Sequence, residues 1–310
     1  MKKLFRKIIY VWEGHVTNWP WRSRLSRRNR RNEAFTRMKM EYLKKYIPFI
    51  ENLGISEDIE PKDDKDSEPV FSLWLQGIDT APLVVKRCVE SLRRSFGKRF
   101  VMLESDSIKD YVEIPDFIRE KWESGKMLPA HFSDIVRIEL LCRYGGYWFD
   151  ATDYITGPVP DVISSADFFM YLASDKLLKH TFVQNYFIRS RKGDPLLRMW
   201  RELVFEYWKN EEKAESYYLV QHLFRLLLTY NIRAARLFAQ MPKIELDCTQ
   251  VIWHETGNDP YDSRKFESMC ENAFFQKCTY KKKTGIIREI LPGSMADFLI
   301  NGIDLNGREQ

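Results

Sequence analysis

Residues 129–160 read PAHFSDIVRIELLCRYGGYWFDATDYITGPVP, and the change of period inside that stretch decides the fold. From Pro129 to Tyr144 the apolar positions Phe132, Ile135, Val136, Ile138 and Leu141 recur three and four apart, the spacing of one helix face. Asp134 and Arg137, three apart, share a different face near the helix start. Gly145–Gly146 ends the helix, because glycine takes a left-handed C-cap without a Cβ clash. Tyr147, Trp148 and Phe149 follow as a buried strand over 147–150. That strand delivers Asp150, and then Asp153, at its carboxyl end, where open α/β sheets place ligands.

Outward from that stretch the same alternation continues. VFSLWLQ (70–76) reads as a buried strand closed by Gly77, 81–96 as a helix, and RFVML (99–103) as a second strand. A strand, a crossover helix and a strand make a parallel pair. A helix is expected over 115–124, strands over 167–172 and 182–188, and helices over 195–208 and 216–230. The fold class is therefore α/β, a mainly parallel sheet flanked by helices. Three regions are expected. Residues 1–54 form a basic helical extension, with a helix over 33–53 capped by Asn32. Residues 55–69 (ISEDIEPKDDKDSEP) form an acidic linker, and 70–310 the body.

Composition narrows the function. The chain is 44% hydrophobic and 14% aromatic, enough for a sizeable core. Its five cysteines are odd in number and lack C-x-x-C spacing, which argues against a disulfide framework or structural zinc and for a reducing cytoplasm. No apolar run reaches the roughly 18–20 residues of a spanning helix, and MKKLFRKIIYVW is too short and interrupted for a signal peptide. Runs of the G-x-G-x-x-G, Walker A and G-x-S-x-G types are absent, which disfavours dinucleotide dehydrogenases, P-loop NTPases and α/β-hydrolases. Residues 1–50 hold 14 Lys and Arg against 3 Asp and Glu; the rest hold 35 against 41. Cations mixed with Trp12, Trp19 and Trp21 suit an anionic membrane surface. A nucleic-acid arm or a solvated tail shares that composition, but the acidic body argues against nucleic acid as partner.

Two carboxylates flanking a Thr hydroxyl at the mouth of a sheet suit a hard divalent cation, Mn²⁺ or Mg²⁺, which would share oxygens with substrate phosphates. An acidic turn is the competing reading of Asp-Ala-Thr-Asp. The whole block resembles the S-D-x-x-R…Y-G-G-x-Y-x-D-x-D signature of DXD glycosyltransferases of the GT-A fold. Most of all, WFDATD (148–153) resembles the W-I-D-A-T strand of the bacterial capsular polysaccharide synthesis proteins. SLWLQGIDTAP (72–82), IPDFI (114–118), QNYFIRSRKGDPLL (184–197) and QKCTYK (276–281) extend the likeness from about Val70 to Lys282.

The resemblance implies roles. Trp74 would stack on the nucleotide base, and Asp134 and Arg137 would bind the donor's sugar and pyrophosphate. Asp150 matches the first Asp of the motif. Thr152 stands at the second, with Asp153 one residue on, so either could complete a metal site; Asp150 plus Asp153 is the favoured pair. Asn185 matches a family position near the sugar-transfer site. His254, in a loop, could reach the diphosphate, and Lys277 with Lys281, Lys282 and Lys283 could clamp it, although a solvated basic face is the commoner fate of such a run. His131 reads as a helix cap and His222 as a buried helix histidine. The expected activity is transfer of a sugar, with retention, from a nucleoside diphosphate to a surface polysaccharide or lipid-linked precursor. The basic arm would hold the chain to the inner face of the cytoplasmic membrane. A non-catalytic GT-A-fold scaffold in capsule assembly is the alternative, favoured by Thr152.

Overall fold

The computed structural model describes residues 36–54, 68–173, 181–281 and 289–301. Its strands are β1 Val70–Leu73, β2 Phe100–Leu103, β3 Gly146–Phe149, β4 Asp153–Ile155, β5 Phe168–Leu172, β6 Val183–Ser190 and β7 Phe275–Lys277. Among the described residues five of them form one sheet in the order β2-β1-β3-β6-β5, and β4 and β7 form a second. β1 runs parallel to both β2 and β3, while β6 runs antiparallel to both its neighbours. All strands of the large sheet except β6 therefore point the same way, and the expectation of a mainly parallel sheet flanked by helices holds.

The Gly-Gly break is a steric necessity. Gly145, at φ +68°, caps the helix Pro129–Tyr144 with its N–H on the Leu141 carbonyl at 2.9 Å. Gly146, at φ +86°, opens β3. A Cβ on Gly146 would lie 2.1 Å from the Pro69 carbonyl oxygen, and one on Gly145 2.5 Å from the Lys192 nitrogen. The absent side chains let the strand lie against the start of β1, where Tyr147 N–H bonds the Pro69 carbonyl at 2.9 Å.

The core runs across the sheet. Phe149 of β3 faces Phe187 of β6 with ring centroids 4.8 Å apart, and Phe275 of the small sheet closes over both at 5.6 and 5.5 Å. On the far side Trp200, from the helix Pro195–Asn210, packs on Phe224 of the helix Leu219–Tyr230. Asp194 caps the first of these, accepting from Leu197 N–H at 2.9 Å.

Two boundaries differ from expectation. The helical segment before residue 54 is part of the body: Leu43, Tyr46 and Ile50 are buried in the main core. Asn231 donates to the Ile50 and Leu53 carbonyls. At the other side of the acidic stretch Glu68 is buried in an ion pair with Arg189 at 2.7 Å, so the packed chain begins before Val70. The residues expected to form the basic arm (1–31), the Asn32 cap and most of the linker lie outside the described residues, as do Lys282 and Lys283. No helix among the described residues is long and apolar enough to cross a membrane.

Candidate functional site

The sheet order itself marks a place. From β1 the chain passes to β2 on one side, then returns to lay β3 on the other, so the winding reverses between β1 and β3. A crevice outside the carboxyl ends of strands at such a reversal is where open α/β sheets bind ligands. Trp74 follows the last residue of β1 there, and Asp150 the last residue of β3. Trp74 packs in the same apolar cluster as Ala151, and its ring meets that of Tyr280 edge-on at 5.2 Å.

The chain turns sharply after Asp150. Asp153 N–H bonds the Asp150 carbonyl at 2.9 Å, and the Asp153 carboxylate accepts from Asp150 N–H at 3.0 Å. The turn reading of Asp-Ala-Thr-Asp is thus correct as local structure, and the turn feeds β4. In the β4–β7 register Asp153 lies directly opposite Lys277, whose side chain crosses to the turn. Its ammonium lies 2.8 Å from Asp150 Oδ2, 2.8 Å from Thr152 Oγ1 and 3.1 Å from Asp153 Oδ1. It also lies 5.0 Å from the Tyr186 ring centroid. Burial opposes the charge on Lys277, but the two carboxylates outweigh it and raise its pKa. Burial likewise opposes the charge on Asp150, and Lys277 and Arg137 overcome it, holding that carboxyl below its ordinary range. At Asp153 burial dominates, and with Asp150 close by the carboxyl is pushed up to about 8 despite Lys277.

Arg137 approaches the same carboxylate from the other side. Its guanidinium is 3.4 Å from Asp150 Oδ1 and 3.3 Å from Asp134 Oδ1, and it donates to the Asn185 carbonyl and the Ser133 hydroxyl. It stacks over Trp148 at 4.8 Å, and Trp148 Nε1 donates to Asp150 Oδ1 at 3.0 Å. Asn185 donates to Asp134 at 2.8 Å and accepts from Gln221 at 2.8 Å, tying β6 to the helix Leu219–Tyr230. Asp134 and Arg137 are buried, so Arg137 supports the fold as well as being a candidate donor contact. Arg137→Ala takes a charge partner from two carboxylates and a donor from the Asn185 carbonyl, and should cost about 3 kcal/mol, read by chemical denaturation. An unchanged midpoint would show the network contributes nothing to folding.

The structure thus gathers Asp134, Arg137, Asp150, Thr152, Asp153, Asn185 and Lys277 in one connected network, with Trp74 beside it. His254 adjoins Lys277, hydrogen-bonded to its backbone, and burial together with the Lys277 charge lowers its pKa. His222 is buried as expected, its Nδ1 2.8 Å from Glu215. His131 is not a cap: it is buried between Trp208 and Tyr217, and neither ring nitrogen has a hydrogen-bond partner. Sequence reasoning missed Trp148, Gln221 and Tyr280 as site neighbours. Only Tyr280 carried a signal, as an aromatic three residues beyond Lys277.

Asp150 and Asp153, expected to hold Mn²⁺ or Mg²⁺ together, do not present an open pair of oxygens. The Asp153 side chain is 0% exposed and faces Lys277; Asp150 is 30% exposed, with one oxygen on Lys277 and the other on Trp148 and Arg137. Thr152 also faces the ammonium. Among the described residues no group of three or more His, Cys, Asp or Glu side chains is placed to hold a metal ion. As built, the turn does not fit Mn²⁺ or Mg²⁺, because its oxygens already face Lys277.

Over residues 21–297 the chain matches the family model of the capsular polysaccharide synthesis proteins, a longer span than the motifs alone suggest. Among curated proteins it is similar to the O-glycosyltransferase PaGT of Phomopsis amygdali, 24% identical over 55% of this chain and 46% of that protein. It is also similar to the O-glycosyltransferase braB of Annulohypoxylon truncatum (24%, over 50% and 41%) and the glycosyltransferase afumC of Aspergillus fumigatus (22%, over 53% and 47%). The chain spans about half the length of the curated relatives it matches. The solved structure of the PaToxG glycosyltransferase overlaps 68% of this chain and 86% of its own at a TM-score of 0.38 and 12% identity, too loose a fit to carry an argument.

Proposed function

We propose that this chain, which belongs to the capsular polysaccharide synthesis protein family, is a glycosyltransferase of GT-A type that takes its sugar from a nucleoside diphosphate. The observation that carries this reading is the convergence at the β1–β3 reversal, where an aromatic pair, two fixed cations and an acidic turn stand side by side. Trp74 and Tyr280 offer faces for a base. Arg137 and Lys277 lie where a diphosphate would follow, and Asp134, Asn185 and Asp150 offer acceptors and a donor for sugar hydroxyls. In the transfer, the bond from the anomeric carbon to the diphosphate oxygen breaks and one to the acceptor oxygen forms. The acceptor's proton goes to solvent or to the departing diphosphate. Charge develops on the leaving diphosphate, and preorganised cations in a half-buried site stabilise it without reorganising.

The acceptor proposed is a hydroxyl of a surface polysaccharide or of its lipid-linked precursor. The basic, Trp-containing composition of residues 1–31 supports attachment to an anionic membrane surface, where such a precursor would lie. Retention follows from the family resemblance alone. A second reading, a donor-binding scaffold without transfer, is favoured by Thr152 at the motif's second acidic position.

The test is thermal stabilisation by a panel of nucleoside diphosphates, since a ligand that binds only the folded state raises the melting temperature by mass action. One nucleotide should stabilise the chain selectively. Trp74→Ala should weaken that nucleotide about ten- to a hundredfold, the worth of one base stacked on an aromatic ring. A panel without effect, or a Trp74→Ala variant that binds equally well, would overturn the donor site.

A further inference from the structure

We infer that the Lys277 ammonium stands in the cation position of this site, so that the chain meets a nucleoside diphosphate with a charge carried on its own strand instead of a bound divalent metal. The inference rests on the donor-site reading above.

Three observations lead there. An ammonium has three N–H donors and no acceptor, and three oxygens surround this one: Asp150 Oδ2 at 2.8 Å, Thr152 Oγ1 at 2.8 Å and Asp153 Oδ1 at 3.1 Å. These are the side chains at the acidic turn that a Mg²⁺ or Mn²⁺ ion would use, and the lysine hydrogen-bonds Asp150 and Thr152 while pairing in charge with Asp153. Second, the placement is built by backbone. The antiparallel register puts Lys277 opposite Asp153, and Cys278 N–H bonds the Thr152 carbonyl at 2.8 Å, so the strand bearing the lysine is stitched to the turn on both sides of it. Third, the chemistry of the turn matches an ammonium better than a metal. A Thr hydroxyl at the second position is a sound acceptor for N–H, whereas a hard divalent ion gains more from a carboxylate there. A divalent ion entering beside Lys277 would meet a fixed positive charge; one replacing it would have to strip a half-buried cation from two carboxylates. The Lys277 side chain remains 16% exposed, so it is not sealed off from a ligand at the carboxyl ends of β1 and β3.

The test uses the full chain and two probes, Mn²⁺ followed by electron paramagnetic resonance and UDP or GDP followed by calorimetry, in EDTA and in Mn²⁺. The wild-type chain should take up no stoichiometric Mn²⁺, and its nucleotide affinity in EDTA should lie within about threefold of that in Mn²⁺. Lys277→Met should lose at least about tenfold in nucleotide affinity in EDTA, the effect of deleting one charge-assisted contact. It should also gain a Mn²⁺ site, since two carboxylates and a hydroxyl are vacated, and that site should vanish when Asp150→Asn is added. Stoichiometric Mn²⁺ on the wild-type chain that Asp150→Asn removes would overturn the inference, and so would nucleotide binding that EDTA abolishes. If neither nucleotide binds in either buffer, the donor-site reading falls, while the Mn²⁺ measurements still decide the place of Lys277. Should Lys277→Met not fold, the wild-type measurements need no variant.

Discussion

Asp150→Asn is expected to lower turnover of a sugar nucleotide by at least about a hundredfold while the chain still folds, the scale of removing one preorganised electrostatic contact from a reacting centre. The side chains are nearly the same size, so the loss is one of charge. In the native chain Asp150 is the carboxylate that Arg137 and Lys277 share, and Trp148 Nε1 fixes the oxygen nearer Arg137. An amide there sets an N–H₂ group against one donor or another, so either Arg137 or Lys277 loses its acceptor and its orientation. Both cations would then be misplaced for a leaving diphosphate. Arg137 and Lys277 keep other acceptors in Asp134, Thr152 and Asp153, so the chain should still fold, with a lowered melting temperature. Released nucleoside diphosphate reads the turnover and thermal denaturation reads the fold. Turnover at the native rate would remove Asp150 from the chemistry.

Gly146→Ala should be the most damaging single substitution to the fold, costing of order 4 kcal/mol or more. A left-handed φ accounts for about 1–2 kcal/mol with an L side chain. The remainder is collision, because the new Cβ would lie 2.1 Å from a backbone oxygen at Pro69 that no rotamer can move away. Relief requires β3 to draw back from the chain entering β1, and those two strands position Asp150 and Trp74. Nucleotide binding should therefore fall with stability. Denaturant unfolding of the variant checks this, and a midpoint like that of the native chain would mean that the strands are not packed so closely. Gly193→Ala is the control: it also has positive φ, but a Cβ there meets nothing within 4 Å.

How much of this was legible before the structure depended on how local each signal is. The helix Pro129–Tyr144 has the bounds its sequence predicts, because Pro129 at its first turn and Gly145 at its end are local devices. β1 is shorter than the run VFSLWLQ suggests. Trp74 N–H already bonds the Leu103 carbonyl, and the chain turns away at Gly77. β4 and β7 were missed altogether: each has three residues, too few for a period, and their pairing joins distant parts of the chain. Lys277 reads from sequence as one of four lysines that could clamp a diphosphate or form a solvated face, and its pairing with the acidic turn is hidden for the same reason. Nothing beside it in sequence shows that its partners are Asp150, Thr152 and Asp153. The segment before residue 54 shows the converse case. Its apolar spacing was visible, but the surface it packs on, around Tyr207 and Asn231, could not be read from one helix alone.

The most direct measurement is release of nucleoside diphosphate from a panel of nucleotide sugars by the purified full-length chain, with Asp150→Asn in parallel. A glycosyltransferase built as proposed should release the nucleotide from one sugar donor selectively, with the Asp150→Asn rate lower by at least about a hundredfold. Binding without release from any donor, or equal release by Asp150→Asn, would contradict sugar transfer at this site and leave a donor-binding scaffold in its place.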